Sequence, residues 1–353
     1  MFRPAAVVRS FQTLGILLPP LAALAPKAVV PLLCLIAIPA LVSAWRHGWR
    51  PRPDAALAVI LGLWALWALI ACLWSFDPWD SLVMWLRDGS LIALGLLLWD
   101  IAGRLDRDSR QRVARTLPLG IVGGVLAIAF ALISDHALKR LFDGIPEGPL
   151  PTGDSRLNRG ATTMTMLLAP GLLVLVQEER PWLAVSAGLA ALAAIAATPS
   201  DTALVACLGA VIAAGLAYPG SQLARWAFAL GAAIFVFAMP LTARALAAIP
   251  RELLGWLPGT GLHRLHIWDF TAARIAERPW SGWGFNSAED MPNFGVTPFN
   301  PDWSRVIPLH PHNGALQIWL DLGLPGILVA MALLALLLRR ASTGPAAART
   351  ARL

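Results

Sequence analysis

Charge is what this sequence has least of. Only 14% of its 353 residues are Asp, Glu, Lys or Arg, against about 25% in a soluble globular protein. A soluble chain of this length needs far more polar surface, which argues against an ordinary cytosolic enzyme. Cysteine is scarce too. Cys34, Cys72 and Cys207 each fall inside an apolar run. They show no pairing or metal-ligand spacing, so neither a disulfide framework nor a zinc ribbon is implied. There is one Tyr, and only two of the 28 basic residues are Lys. No Gly-rich phosphate loop or ATPase motif is present, so no means of using ATP is visible. The inverted repeat of many transporters is missing as well. The arginines lie between apolar runs rather than in one stripe. That argues against nucleic-acid binding despite the net charge of +7.

What the chain does have is long apolar runs, within a composition that is 57% hydrophobic. The pattern predicts an all-α polytopic membrane protein of about 10 transmembrane helices. The expected spans are 11–26, 28–45, 56–74, 82–99, 117–134, 160–176, 181–197, 203–217, 226–242 and 314–338. The first follows Arg3 and Arg9 like a signal peptide, but Pro26 is poor cleavage context, so it reads as an uncleaved span. Spans seven and eight are joined only by 198–202, a tight helical hairpin.

Basic residues set the expected orientation. With the N-terminus inside, cytoplasmic segments hold 16 arginines and the short opposite-side segments only five basic residues. Both termini are therefore expected in the cytoplasm. Segments 135–159 and 243–313 then face outside. Three parts follow: helices 1–242, a large outside loop 243–313 bearing short helices, and the last span with a basic tail, 314–353. Many of the 16 Trp residues sit at span ends, including Trp45, Trp74, Trp79, Trp99, Trp182 and Trp226. Interfacial anchoring explains nearly all of them.

The 243–313 loop is too long for a mere connector and too rich in Trp, Leu, Ile and Phe to be disordered. Short helices are expected over Ala247–Trp256 and Leu265–Arg278, the second ended by Pro279. Arg264 and Trp268 are four apart and share a helix face. Pro279-Trp280-Ser281-Gly282-Trp283-Gly284 reads as a turn. His310-Pro311-His312-Asn313 stands just before the last apolar run. Asn313 is a good N-cap and places His312 at the positive end of a helix dipole. Gln317 and Trp319 follow. The Asp321–Gly326 stretch predicts a break, making 313–322 a short interfacial helix before the true span.

The order Arg264-x3-Trp268, Pro279-x2-Gly282-x-Gly284, His312-Asn313 and Gly323-x2-Gly326 resembles the large periplasmic loop of the O-antigen ligase and polymerase superfamily. That superfamily includes WaaL-type ligases, Wzy-type polymerases and oligosaccharyltransferases that modify pilins. The resemblance is detailed over 264–326 and architectural over the whole chain. It implies a metal-independent, inverting transfer of a glycan from undecaprenyl diphosphate at the periplasmic face of the bacterial inner membrane. No cofactor is implied. The partners would be the lipid-linked donor, a lipid A-core or glycan acceptor, and membrane lipids, with no nucleic acid.

The residues suit that chemistry. A diphosphate leaving group needs fixed cations, and the arginine fork pairs two oxygens while staying charged. Arg264 is the first candidate, a surface arginine being the alternative. Arg159 would sit at the N-terminus of the sixth span, where anions are favoured; a snorkelling arginine is an equal reading. Arg156 is a weaker candidate. His312 is the candidate base, with a usual pKa near ~6.5, or a group that only positions the acceptor. Trp268, Asn313, His310 and Asp321 complete the expected substrate-binding set. A His310–His312 metal pair lacks a third ligand. His263 and His266 read as structural or surface residues. Asp321 falls where the superfamily often has an acidic residue and could orient His312 or Arg264. One departure is Ser200-Asp201, where the superfamily commonly has Ser and then a basic residue. Arg87-Asp88 inside the fourth span are secondary candidates. O-antigen ligation to lipid A-core is the first functional reading, with polymerase or oligosaccharyltransferase next. A secondary transporter or flippase is the competing class, supported only by span count and Arg87-Asp88.

Overall fold

The computed structural model describes residues 5–52, 54–143, 157–217, 222–257, 259–292, 306–307 and 309–343. Among these, every regular element is a helix. The helices are α1 (Ala5–Leu24), α2 (Val29–Arg46), α3 (Ala55–Ala71), α4 (Pro78–Arg104), α5 (Arg107–Ala114), α6 (Thr116–Ile133), α7 (Ala137–Asp143), α8 (Asn158–Gln177), α9 (Pro181–Ala196), α10 (Asp201–Ala217), α11 (Gln222–Ala247), α12 (Gly259–Glu277) and α13 (Gly314–Thr343). All ten apolar stretches of the sequence are helical, in keeping with an all-α polytopic membrane protein. Eight are long and apolar enough to cross a bilayer. The other two, α9 and α10, are 16 and 17 residues long and flank the expected tight hairpin.

The chain forms two compact units, Met1–Arg52 with Leu94–Leu216 and Pro53–Ala93 with Ala217–Leu353. The division falls inside α4. In the first unit, Ile121 and Ile128 of α6 pack with Leu157, which precedes α8, with Met164 and Leu168 of α8, and with Ile195 of α9. At one end of this unit the Asp100 carboxylate accepts from Trp49 Nε1 at 2.8 Å and pairs with Arg104.

The second unit holds α3, α11, α12 and α13. Its core joins Met239 and Ala243 of α11, Ile267, Ala272 and Ile275 of α12, and Leu316, Trp319, Leu320 and Ile327 of α13, with Ile307 from the loop. α3 and α13 run antiparallel. Asp54, the N-cap of α3, pairs with Arg340 near the far end of α13. At the other end of α3, Trp67 Nε1 donates to the Leu322 carbonyl at 2.9 Å.

The expected helix over Ala247–Trp256 is not what forms. α11 runs on to Ala247, Pro250 interrupts, and only a short 3-10 turn, Arg251–Leu254, follows. Proline has no N–H to carry the ladder past that point. α12 begins at Gly259, earlier than the periodicity suggested, and ends at Glu277 just before Pro279, as expected.

Candidate active site

The last helix breaks where its sequence says it should. Gly323 sits at φ 62°, ψ −156° inside α13, dividing a first segment, 314–322, from the membrane-spanning remainder. A side chain there would be strained by the positive φ. It would also put Cβ 2.6 Å from the Trp280 carbonyl oxygen. The backbone groups freed by the break are taken up by the 279–284 turn. Leu324 N–H donates to Pro279 O at 2.9 Å, Trp283 N–H to Leu320 O at 2.7 Å and Gly284 N–H to Asp321 O at 3.1 Å. Gly282, at φ 66°, lets the turn come this close, because a Cβ would lie 2.5 Å from the Asp321 backbone. Ser81, on α4, donates to the Phe285 carbonyl at 2.6 Å. Asn286 donates to Asp80 at 2.9 Å. The glycines of the motif thus bolt the loop to the break in α13.

α12 presents two faces. Ile267, Thr271 and Ile275 are buried against α11 and α13. Arg264 and Trp268, both half-buried, lie one turn apart. Trp268 Nε1 donates to the Pro311 carbonyl at 3.0 Å. This bond ties α12 to the loop that carries both loop histidines. Asn313 caps the last helix as expected. Its Oδ1 accepts from the Ala315 and Leu316 amides at 3.1 and 3.2 Å, and its carbonyl accepts from Gln317 N–H at 2.9 Å.

His312 directly precedes the cap in the left-handed region, at φ 54°. Few non-glycine residues adopt it, and such strain collects at functional sites. Its N–H donates to His310 Nδ1 at 3.2 Å. The two rings meet edge to face with centroids 4.3 Å apart. His312 is exposed as a residue, but the atoms crowding its ring make the charged form costly. Desolvation, then the charges of His310, Arg264 and His263, pull its pKa from 6.5 down to about 4. His263 is lowered too, first by burial and then by His266 and Arg264. Arg264, His263 and His310 therefore lie near enough to His312 to act on it electrostatically.

Asp321 is buried, with its carboxylate accepting from Gln317 Nε2 at 2.6 Å. Arg159 is exposed in the first turn of α8, in the first unit. Arg156 lies outside the described residues. Asp201 begins α10, and Ser200, which precedes it, is buried. Arg87 and Asp88 pair with each other at 3.0 Å on α4. Among the described residues, no group of three or more His, Cys, Asp or Glu is placed to hold a metal ion.

The family model described as O-antigen ligase matches residues 186–331, a stretch that includes Arg264, His312 and the break in α13. Two curated relatives carry the provisional name polysaccharide ligase. The one from Rickettsia felis is 26% identical over 281 residues and the one from Rickettsia bellii 25% over 285. Each alignment covers 77% of this chain and 65% of the relative, so the chain spans just under two thirds of the length of these proteins. No solved structure matches the chain. These matches support the O-antigen ligase and polymerase superfamily, the resemblance drawn from the loop motifs.

Proposed function

We propose that this chain, allied by those matches to the O-antigen ligase and polymerase superfamily, transfers a glycan from undecaprenyl diphosphate to an acceptor hydroxyl. The reaction takes place at the periplasmic face of the inner membrane, with both termini in the cytoplasm. O-antigen ligation to lipid A-core is the reading we favour.

The observation that carries the proposal is the Trp268–Pro311 bond, which joins the helix of Arg264 to the loop of His312. In keeping with it, Arg264 is among the charges acting on His312. In this reading Arg264 pairs with the donor's diphosphate, where its fork spans two oxygens. Arg159, at the N-terminus of α8, and Arg156 are the further donor-binding candidates. His312 is uncharged at neutral pH and can accept a hydrogen bond from the acceptor hydroxyl. Trp268, His310 and Asn313 set its place. Asp321, through Gln317, supports the helix segment below it.

The acceptor oxygen attacks the anomeric carbon from the face opposite the leaving group, which inverts the configuration. As the new C–O bond forms, the bond to the diphosphate breaks and its electron pair leaves with the polyprenyl diphosphate. The hydroxyl proton passes to His312 and then to solvent. Fixed cations help most where negative charge develops in the transition state. No metal takes part in this scheme. The position of Asp54–Arg340 at the opposite end of the second unit fits a site on the far side from the basic tail.

Lipopolysaccharide from a deletion strain tests the proposal. Ligase loss leaves core without O-chain and accumulates lipid-linked polymer. Core carrying a single repeat unit would point to a polymerase instead. An unchanged ladder rejects both.

A further inference from the structure

α12 ends in a charged cluster that the proposed reaction does not use. Arg274 lies over the Phe270 ring, 5.0 Å from its centroid, and is paired with Glu277 at 2.9 Å. Arg278, which follows, is exposed, and its guanidinium sits over the Trp283 ring, 4.2 Å from the centroid. That ring is itself fixed. Its Nε1 donates to the Arg274 carbonyl at 2.8 Å, and Phe76 stacks on it at 5.8 Å. The carboxylates of the neighbouring segments are engaged elsewhere. Glu277 holds Arg274, Asp77 accepts from the Trp79 and Asp80 amides at 3.0 and 2.9 Å, and Asp80 accepts from Asn286. Among the described residues no carboxylate pairs with Arg278. Stacking on an aromatic face holds the planar guanidinium flat and leaves its N–H edge to face outward.

The cluster stands at a membrane surface. Ala55–Trp74 and Pro78–Arg104 are both long and apolar enough to cross a bilayer, and only residues 75–77 join them. Phe76, in that link, is the residue stacked on Trp283. Gly284 packs so close to Ser75 that a Cβ would lie 2.5 Å from the Ser75 Cα. Trp79 and Trp280 are 74% and 73% exposed, as befits aromatic side chains at a bilayer interface. Arg278 comes fourteen positions after Arg264, about 20 Å along the helix. One diphosphate does not reach both.

We propose that Arg278, laid on Trp283, binds the phosphate of an anionic phospholipid in the facing leaflet. An arginine at this level meets phosphodiester groups, and its fork pairs two of their oxygens. A headgroup with no cation of its own matches an uncompensated guanidinium better than a zwitterionic one does. The bound headgroup steadies the 279–284 turn, and through it the break in α13.

The test titrates the full chain in detergent micelles with short-chain phosphatidylglycerol and counts bound lipids by native mass spectrometry. Arg278→Gln removes the proposed site. Arg110→Gln, which takes an equally exposed arginine from α5, is the control. Thermal melting checks the fold of each. The expected result is one bound lipid fewer in Arg278→Gln, its apparent affinity at least ~10-fold weaker, with the control unchanged. Phosphatidylcholine should bind several-fold more weakly than phosphatidylglycerol to the wild type. No loss in Arg278→Gln, or an equal loss in both variants, overturns the site. Equal binding of phosphatidylcholine overturns the choice of occupant. So does displacement of the lipid by glycerol phosphate at the same concentration, or by a polyprenyl diphosphoryl sugar at a lower one. If Arg278→Gln melts early, Arg278→Lys takes its place. It keeps the charge, loses the planar stack and should bind several-fold more weakly; wild-type affinity there overturns the proposal. No arm of the test depends on the transfer reading.

Discussion

Trp268 and Pro311 are joined by one hydrogen bond of 3.0 Å across 43 positions of sequence, and through it α12 holds the loop of His310, His312 and Asn313. A typical hydrogen bond contributes about 0.5–1.5 kcal/mol. Trp268→Phe keeps the aromatic bulk and removes only the donor. Glycan transfer in isolated membranes should fall by up to about tenfold, with the protein still present at wild-type level. An unchanged rate would show that the bond does not position the loop.

Arg264→Ala should abolish transfer without lowering the amount of protein in the membrane. Arg264→Lys should lose most of the activity as well, because a point charge does not replace a planar two-point fork. Complementation of a deletion strain, read on a lipopolysaccharide gel, checks both. Full activity of the Lys variant would mean that charge alone suffices.

The left-handed, crowded setting of His312 has a consequence for stability. Its folded-state pKa, about 4, lies below the value of 6.5 for a free imidazole. Between those values the unfolded chain binds more protons than the folded one, so stability rises with pH there. Its contribution is whole above about pH 6.5 and lost as pH falls through about 4. The melting temperature of wild type should therefore drop more steeply than that of His312→Asn across this window. Parallel curves would argue that the imidazole is not held in its neutral form.

The glycines offer a contrast within one unit. Gly323→Ala forces a side chain into a positive φ and against the Trp280 carbonyl, so it should destabilise by well over ~1–2 kcal/mol. Gly62→Ala, in the middle of α3 with nothing within 4 Å of its Cβ, should be neutral or stabilise by up to about 1 kcal/mol. Thermal unfolding in detergent separates the two.

Much of this was legible in the residues themselves. Apolar run length marks the spans, Asn313 announces a cap, and glycine two residues before Pro325 marks the break in α13. These are local signals, set by one residue's backbone needs or by a continuous stretch. What was not legible lies between distant segments. Nothing local says that Trp67 will meet the Leu322 carbonyl, 255 positions away, or that the 279–284 turn will take up the backbone groups released at Gly323. The effect of His263 on His312 is of the same kind: it comes from the fold bringing α12 near the 310–313 loop, and helical position alone does not show that. Over Ala247–Trp256 the apolar residues suggest a helix, but Pro250 interrupts it and only a 3-10 turn follows.

The break at Gly323 also uncouples two mechanical demands. A continuous helix tilts as one rod, so a thicker or thinner bilayer would raise or lower everything attached to its outer end. Here the rod stops at residue 323, and the short segment above it is bolted to the 279–284 turn. The height of the His312 loop over the lipid is thereby buffered against changes in acyl-chain length. Proteoliposomes made from lipids of increasing chain length should show nearly constant turnover, and a sharp optimum at one thickness would contradict this.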